Sequence, residues 1–182
     1  MKPLLTVLIL PVLMLVGADL IRADVPEGPN LGHPATAEEI ARWDVNVYPD
    51  GTGLPPGSGT VAQGKVIYVK QCLVCHGVGG LGATGDPLAG AEMGLTGEWP
   101  DKTIGTYWPY ATTLFDFNRR SMPMDKPGTL NNDNAYAVTA YLLYLNGIID
   151  AGTTLNAETL LQVKMPNRDG FINVWENERN KK

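Results

Sequence analysis

Cysteine and histidine are scarce in this chain of 182 residues, which contains two of each. Both cysteines, Cys72 and Cys75, and one histidine, His76, lie in the heptapeptide Q-C-L-V-C-H-G, so that only His33 lies elsewhere. A zinc site would need further ligands that this chain hardly offers, and a thioredoxin-like redox pair would need a flanking βαβ pattern that the sequence lacks. The scarcity disfavours both, and a structural disulfide is the remaining simple use of the two thiols.

The spacing of Cys72, Cys75 and His76 is that of a c-type haem attachment motif. Two thiols three positions apart on a helical turn can form thioether bonds to the two vinyl groups of haem, and the adjacent imidazole can reach the iron. Because the chain has no other cysteine, the sequence predicts one covalent haem c and no spare thiol.

The sequence also lacks an apolar run long enough to cross a bilayer comfortably. The run at residues 4–17 is interrupted by Pro11, and small residues follow it. A membrane-spanning helix needs about 20 apolar residues, so we interpret residues 1–23 as a signal peptide cleaved after Ala18 or Ala23, with an uncleaved anchor as the alternative. We expect no stable membrane span after cleavage and a periplasmic location, since haem is attached to this motif outside the bacterial inner membrane.

Positive charge is in the minority, with 14 Lys and Arg against 19 Asp and Glu, a formal net charge of −5. An acidic surface repels phosphates, which argues against nucleic acid as a ligand. A basic patch on a protein partner is the more plausible contact.

Two helical patterns should form the core around the motif. Residues 60–72 lead into it with apolar or small side chains at three- and four-residue steps. Residues 131–146 are amphipathic, begin at the potential cap Asn131, and carry an apolar stripe of Val138, Tyr141, Leu142 and Leu145. Because Gly64 has no side chain, we expect the two helices to cross there.

Two further helices are predicted. Residues 36–43 have Thr36 as a potential cap and acidic residues in the first turn. Residues 106–120 start with aromatic residues and a proline, and then continue as a helix in which Leu114 and Phe117 face inward.

Several residues could contact the haem periphery. Trp108 is a candidate for the pocket wall, with its indole N–H bonded to a propionate; core packing is the simpler alternative. Arg119 and Arg120 could pair with propionates or with a partner's carboxylates, or simply face solvent.

The loop at residues 77–90 is dense in glycine and follows the motif directly. Glycine allows close backbone approach to the macrocycle, and Pro87 rigidifies a turn. A backbone carbonyl of this turn is expected to accept the proton on the second ring nitrogen of His76, which would orient the imidazole and raise its basicity.

Met122 is the predicted sixth ligand of the iron. It lies 46 positions after His76, on a loop between two predicted helices, and Pro123 follows it. A thioether binds haem iron opposite a histidine and raises the reduction potential. The alternatives are Met124 on the same loop, Met93 in a glycine-rich stretch, Met165 beyond the last predicted helix, and His33.

The order of these parts resembles a class I cytochrome c over residues 60–146: a first helix, C-x-x-C-H, a proline loop, a Met-Pro loop and a last helix. The resemblance implies an all-α class I cytochrome c fold, three to five helices around one covalently bound haem, with irregular N- and C-terminal extensions. We therefore divide the chain into a signal peptide (1–23), an N-terminal arm (24–58), a cytochrome c domain (59–149) and a C-terminal tail (150–182). Whether the arms contact this domain or a partner stays open.

A narrower resemblance covers most of the mature chain. The segments D-G-T-G-L-P-P-G-S-G-T-V-A-Q-G, T-I-G-T-Y-W-P-Y-A-T-T-L-F-D-F, R-R-S-M-P-M, Y-A-V-T-A-Y-L-L-Y-L-N-G-I-I and K-M-P-N-R-D-G-F are similar to the haem subunits of bacterial sulfite and sulfane dehydrogenases, including the SoxD-type partners of a molybdenum subunit. The resemblance implies thioethers at Cys72 and Cys75 and axial ligation by His76 and Met122. Two departures are the absence of a second C-x-x-C-H and the presence of Asn132 and Asn134 at the start of the last helix, where relatives tend to have acidic residues.

The expected function is that of an electron-transfer subunit without substrate chemistry of its own. It would accept electrons from a molybdenum sulfite or sulfane dehydrogenase partner and pass them to a downstream cytochrome or oxidase. One alternative is a free-standing shuttle cytochrome between respiratory complexes, and another is a haem enzyme or gas sensor in which Met122 dissociates from the iron.

Overall fold

The computed structural model describes residues 28, 31–92 and 94–175, which form two compact units divided between Trp43 and Asp44. The expected signal peptide and its cleavage sites lie outside the described residues, as does Met93. No helix of the described ranges is long and apolar enough to cross a membrane.

The N-terminal unit contains helix α1, Ala37–Trp43, which confirms the short helix predicted there. Thr36 caps it: the Thr36 hydroxyl accepts the backbone N–H of Glu39 at 3.2 Å, and the Glu39 carboxylate accepts the Thr36 N–H at 2.8 Å. This reciprocal pair satisfies two of the amide donors at the start of the helix.

The second unit is built on the crossing of α2, Val61–Gln71, with α6, Asn132–Leu145. A Cβ atom placed on Gly64 would lie 1.9 Å from the carbonyl oxygen of Ala137 and 2.7 Å from Cβ of Tyr141. The rings of Tyr68 and Tyr141 pack beside this contact, with centroids 5.3 Å apart. The predicted crossing at Gly64 is confirmed, and the missing side chain is what allows it.

The aromatic segment after residue 103 forms two helices where one was predicted. Helix α4, Ile104–Tyr107, ends at Trp108, and helix α5 spans Ala111–Ser121. Trp108 adopts an extended conformation, φ −72° and ψ 124°, because the ring of the following proline disfavours helical backbone in the residue before it.

The inward face of α5 also differs from the prediction. Leu114 is buried as expected, but Phe117 is 40% exposed and Phe115 is fully buried, with its ring 4.4 Å from that of Tyr136. The prediction for Phe117 was wrong because residues 114, 115 and 118 define the buried face, which places Phe117 at its margin, against Trp108.

A small antiparallel sheet was not predicted. Strand β1, Ser58–Thr60, pairs with β2, Thr154–Asn156, in the register Gly59 to Leu155. Helix α7, Ala157–Leu161, follows β2, and Leu155, Leu160 and Met165 are all buried. The first part of the predicted tail therefore packs into the core, and Met165 lies beyond a further helix of the domain.

Residues 44–57, which we call the N-terminal strap, pack on the same unit. The N–H of Val47 donates to Asp116 Oδ1 at 2.9 Å, and the hydroxyl of Tyr136 donates to the carbonyl of Pro55 at 2.8 Å. The side-chain amide of Asn132 donates to the carbonyl of Pro56 at 3.1 Å. This part of the arm contacts its own domain.

Candidate haem site

Helix α2 delivers the C-x-x-C-H motif in a defined orientation. Its start is fixed by Thr60 and Gln63, whose side chains each accept the other's backbone N–H, at 3.2 and 2.9 Å. Cys72 ends α2 and begins the short helix α3, Leu73–His76, in which the N–H of His76 donates to the Cys72 carbonyl at 2.9 Å. Both cysteines and the histidine therefore lie on one helical turn, as the spacing predicted.

The two thiols lie in different surroundings and do not form a disulfide. Cys75 is exposed, whereas Cys72 is partly buried. Burial raises the pKa of the Cys72 thiol to about 11, and the neighbouring Cys75 adds to the effect. Two unpaired thiols on one turn are the groups that haem attachment requires, so the donor set fits a c-type haem.

His76 is held by a hydrogen bond from its ring to the backbone. Its Nδ1 lies 2.9 Å from the carbonyl oxygen of Asp86, the residue before Pro87. Because a carbonyl can only accept, Nδ1 carries a proton, and Nε2 is the ring nitrogen left to bind a metal. The hydrogen bond predicted from this loop is present, with Asp86 as its acceptor.

The glycine-rich loop closes on the backbone of the motif itself. The N–H of Gly82 donates to the His76 carbonyl at 2.8 Å, and the N–H of Gly85 donates to the Cys75 carbonyl at 2.8 Å. Gly77 has a positive φ of 73°, and a Cβ atom there would lie 2.3 Å from the carbonyl oxygen of Gly82. Glycine is required at this position because the backbone folds over the motif so closely.

Tyr68 also holds the glycine-rich loop, through a hydrogen bond that was not predicted. Its side chain is buried, and its hydroxyl donates to the Gly77 carbonyl at 2.7 Å. Burial raises the pKa of Tyr68 to about 12. The helical periodicity showed that Tyr68 would face inward, but it carried no signal for the hydrogen bond.

The candidates for the second iron ligand, three methionines and His33, differ sharply in solvent exposure. Met122 ends α5, where its N–H donates to the Asn118 carbonyl at 3.2 Å, and it is partly buried. Met124 is 81% exposed, and Met165 is 3% exposed within the core. His33 is exposed in the N-terminal unit, with its Nε2 3.8 Å from a carboxylate oxygen of Glu39.

Residues predicted at the haem periphery have other structural partners. The Trp108 ring packs edge-on against Phe117, with centroids 5.6 Å apart. The side chain of Arg119 donates to the Val45 carbonyl at 3.2 Å, and Arg120 forms a two-point ion pair with Asp116, which raises the pKa of Arg120. Both arginines therefore help to hold the N-terminal strap.

The neighbouring tyrosines hold the C-terminal segment. The carbonyl of Tyr107 accepts the side-chain amide of Asn167 at 2.8 Å, and its ring packs edge-on against Phe171. The guanidinium of Arg168 lies 4.3 Å from the ring centre of Tyr110. Residues 167–171 therefore pack against the connection between α4 and α5.

Comparisons with known proteins agree with this geometry. The family model described as Cytochrome c matches residues 61–146. The crystal structure of the sulfane dehydrogenase SoxCD from Paracoccus pantotrophus contains a chain that is 43% identical, with a TM-score of 0.76, and the match covers 83% of this chain and 75% of that one. The chain belongs to the cytochrome c family. This cytochrome c carries covalently bound haem c, and its role is electron transfer, for which haem iron supplies a one-electron couple.

Two curated proteins are also similar to this cytochrome c. One is the thiosulfate dehydrogenase of Stutzerimonas stutzeri (strain A1501), 34% identical over 52% of this chain and 30% of that protein. The other is the cbb3-type cytochrome c oxidase subunit CcoP of Azospirillum sp. (strain B510), 31% identical over 55% of this chain and 36% of that protein. The matches span about a third of the length of each of these relatives.

Proposed function

We propose that this cytochrome c is the haem subunit of a periplasmic sulfur-compound dehydrogenase. It accepts electrons from a molybdenum-containing partner that oxidises sulfite or a sulfane sulfur group, and it passes them singly to a downstream cytochrome or oxidase. No residue of this chain is required for the sulfur chemistry itself.

The observation that carries the proposal is the extent of the match to the SoxCD chain. The cytochrome c family model covers residues 61–146, less than half of the chain, whereas the SoxCD match covers 83% at 43% identity. The match must therefore include residues on both sides of the family domain. A free-standing shuttle needs only the haem domain, so similarity that extends into the flanking segments supports a subunit role.

Four side chains would hold the haem. Cys72 and Cys75 would supply the thioether sulfurs, and His76 would bind the iron through Nε2, because Asp86 holds its Nδ1–H. Met122 would bind the iron through its thioether sulfur. Its partial burial at the end of α5 supports it over the exposed Met124 and over Met165, whose side chain is packed in the core.

Pro87 and Trp108 complete the proposed site. Pro87 stiffens the turn that bears the Asp86 carbonyl. Trp108 forms part of the pocket wall with Phe117, and a hydrogen bond from its indole to a propionate is the finer prediction. With the iron held by both His76 and Met122, the haem would supply a one-electron couple, and the site would favour electron transfer over ligand binding at the iron.

The test is a gentle purification of the tagged protein from the periplasm of the cells that make it, followed by a molybdenum assay. Sulfite and thiosulfate are then added separately while haem reduction is recorded. The proposal predicts co-purified molybdenum and rapid haem reduction by at least one of the two compounds.

The matched control is the same preparation from cells grown with tungstate in place of molybdate. Its haem should be reducible by dithionite and should not respond to the sulfur compounds. A protein that purifies alone, contains no molybdenum and responds to neither compound would contradict the subunit role and favour the shuttle.

A further inference from the structure

Asn146, at the end of α6, joins three separate segments through one side-chain amide. Its Nδ2 donates to the carbonyls of Leu142 at 2.8 Å and Leu88 at 3.1 Å, and its Oδ1 accepts the N–H of Gly105 at 3.0 Å. A flipped amide would place an oxygen against two carbonyls and an NH₂ group against an N–H, so the network fixes its orientation. Both donors and the acceptor of the amide are used.

Leu88 is the residue through which Asn146 reaches the haem motif. Its carbonyl also accepts the N–H of Ile104 at 3.2 Å, and its own N–H donates to the Gly80 carbonyl at 2.7 Å. Leu88 is thus fixed from both sides of its backbone. It lies two residues after Asp86, whose carbonyl accepts the Nδ1 proton of His76.

The short turn between these anchors lies at the surface, and beside Leu88 the N–H of Ala89 also donates to the Gly80 carbonyl at 3.0 Å. Asp86 and Pro87 are both exposed, and the anchor on the other side is the hydrogen bond from Gly85 to the Cys75 carbonyl, 2.8 Å long. Because Pro87 fixes its own φ, the direction of the Asp86 carbonyl depends mainly on where Leu88 is held. The backbone therefore transmits the position of Asn146 to the ring of His76.

We propose that Asn146 is a positioning residue for the axial histidine and that it tunes the reduction potential of the haem through the Leu88–Asp86 backbone. The proposal uses the assignment of His76 as an iron ligand and is independent of the dehydrogenase partner. The Nδ1–H···O=C bond from His76 to Asp86, 2.9 Å long, raises the basicity of the imidazole and so favours the ferric state. Loosening Leu88 weakens that bond and favours the ferrous state.

The test compares the isolated, haem-loaded protein with its Asn146→Ala variant. We expect the equilibrium between ferric and ferrous protein to shift about fivefold toward ferrous, the scale of one hydrogen bond. The His76 ring N–H, followed by NMR in the ferrous protein, should exchange with solvent about tenfold faster as the turn opens locally. The visible spectrum should still show both axial ligands.

Asn131→Ala is the matched control, because Asn131 caps the opposite end of the same helix through a 2.8 Å bond from the N–H of Asn134. It should lower the stability of the protein without changing the potential or the ring N–H exchange. Equal changes of the potential and of the ring N–H exchange in both variants would mean that Asn146 only stabilises the fold. No change of either quantity in Asn146→Ala would overturn the proposal. If Asn146→Ala does not accumulate as folded protein, Asn146→Ser carries the same test, since its neutral, shorter side chain cannot bridge Leu88 and Gly105 together.

Discussion

Replacing Gly64 with alanine should destabilise the protein even though alanine is the better helix former. The new Cβ would lie 1.9 Å from the carbonyl oxygen and 2.6 Å from the carbonyl carbon of Ala137. Both are backbone atoms, so α2 must move away from α6. Overpacking of this kind costs about 1–3 kcal/mol, occasionally more, and a backbone clash belongs at the upper end. The gain in helix propensity offsets about 1 kcal/mol, which leaves a net loss of about 2 kcal/mol.

The assay is thermal and denaturant unfolding of the haem-loaded protein, followed by circular dichroism. For a domain of this size a loss of about 2 kcal/mol lowers the Tm by roughly 4–8 °C. Ala62→Gly, at an exposed position of the same helix, measures the propensity term alone, and Gly152→Ala, where nothing lies within 4 Å of the new Cβ, controls for the substitution itself. An unchanged or higher Tm for Gly64→Ala would refute the close crossing of the two helices.

Three other substitutions test the site and its supports. Met122→Ala should abolish the sulfur-to-iron charge-transfer band of the ferric protein and leave the covalent haem in place; if only Met124→Ala removes the band, the ligand assignment is wrong. Tyr68→Phe should cost about 1 kcal/mol at neutral pH. Burial raises the Tyr68 pKa from 10.0 to about 12, so the neutral phenol stabilises the fold fully below pH 10, and this stabilisation is lost as the pH rises toward 12. If the free energy of unfolding falls with pH equally steeply in the native protein and in the variant between pH 10 and 12, this prediction is wrong. Asp116→Asn should lower the free energy of unfolding by about 1–3 kcal/mol, because the buried Asp116 carboxylate holds the N-terminal strap. The control Glu38→Gln, which removes an exposed ion pair, should lower it by less than about 0.5 kcal/mol in the same measurement.

Local patterns carried most of the fold that could be predicted. The cap at Asn131 and the periodicity around Gly64 depend on residues a few positions apart, and both are present in the structure. The haem motif is equally local, because its three side chains need only one helical turn. The signals for such features come from neighbouring residues, even where the contact they predict, as at Gly64, is with a distant helix.

The features that escaped prediction depend on contacts between distant parts of the chain. The strands at 58–60 and 154–156 are three residues each, too short to show alternation. Asp116 looks like any acidic residue on a helix surface until the strap covers it, and Asn146 looks like a simple helix stop. Polar residues that join separate segments have no periodic signature, so the supports of the site were the hardest part to find.

The pairing of β1 with β2 means that the family domain and the structural domain are different units. Residues 61–146 define the cytochrome c match, yet Leu155 and Leu160 complete the same core, and the strap covers α5. A module cut at 61–146 and fused to another protein would expose the surfaces that these flanks cover. Limited proteolysis should accordingly release a resistant fragment that contains both flanks. In fusion proteins built from cytochrome domains, the unit to transfer from this protein is the family domain together with the segments on either side of it.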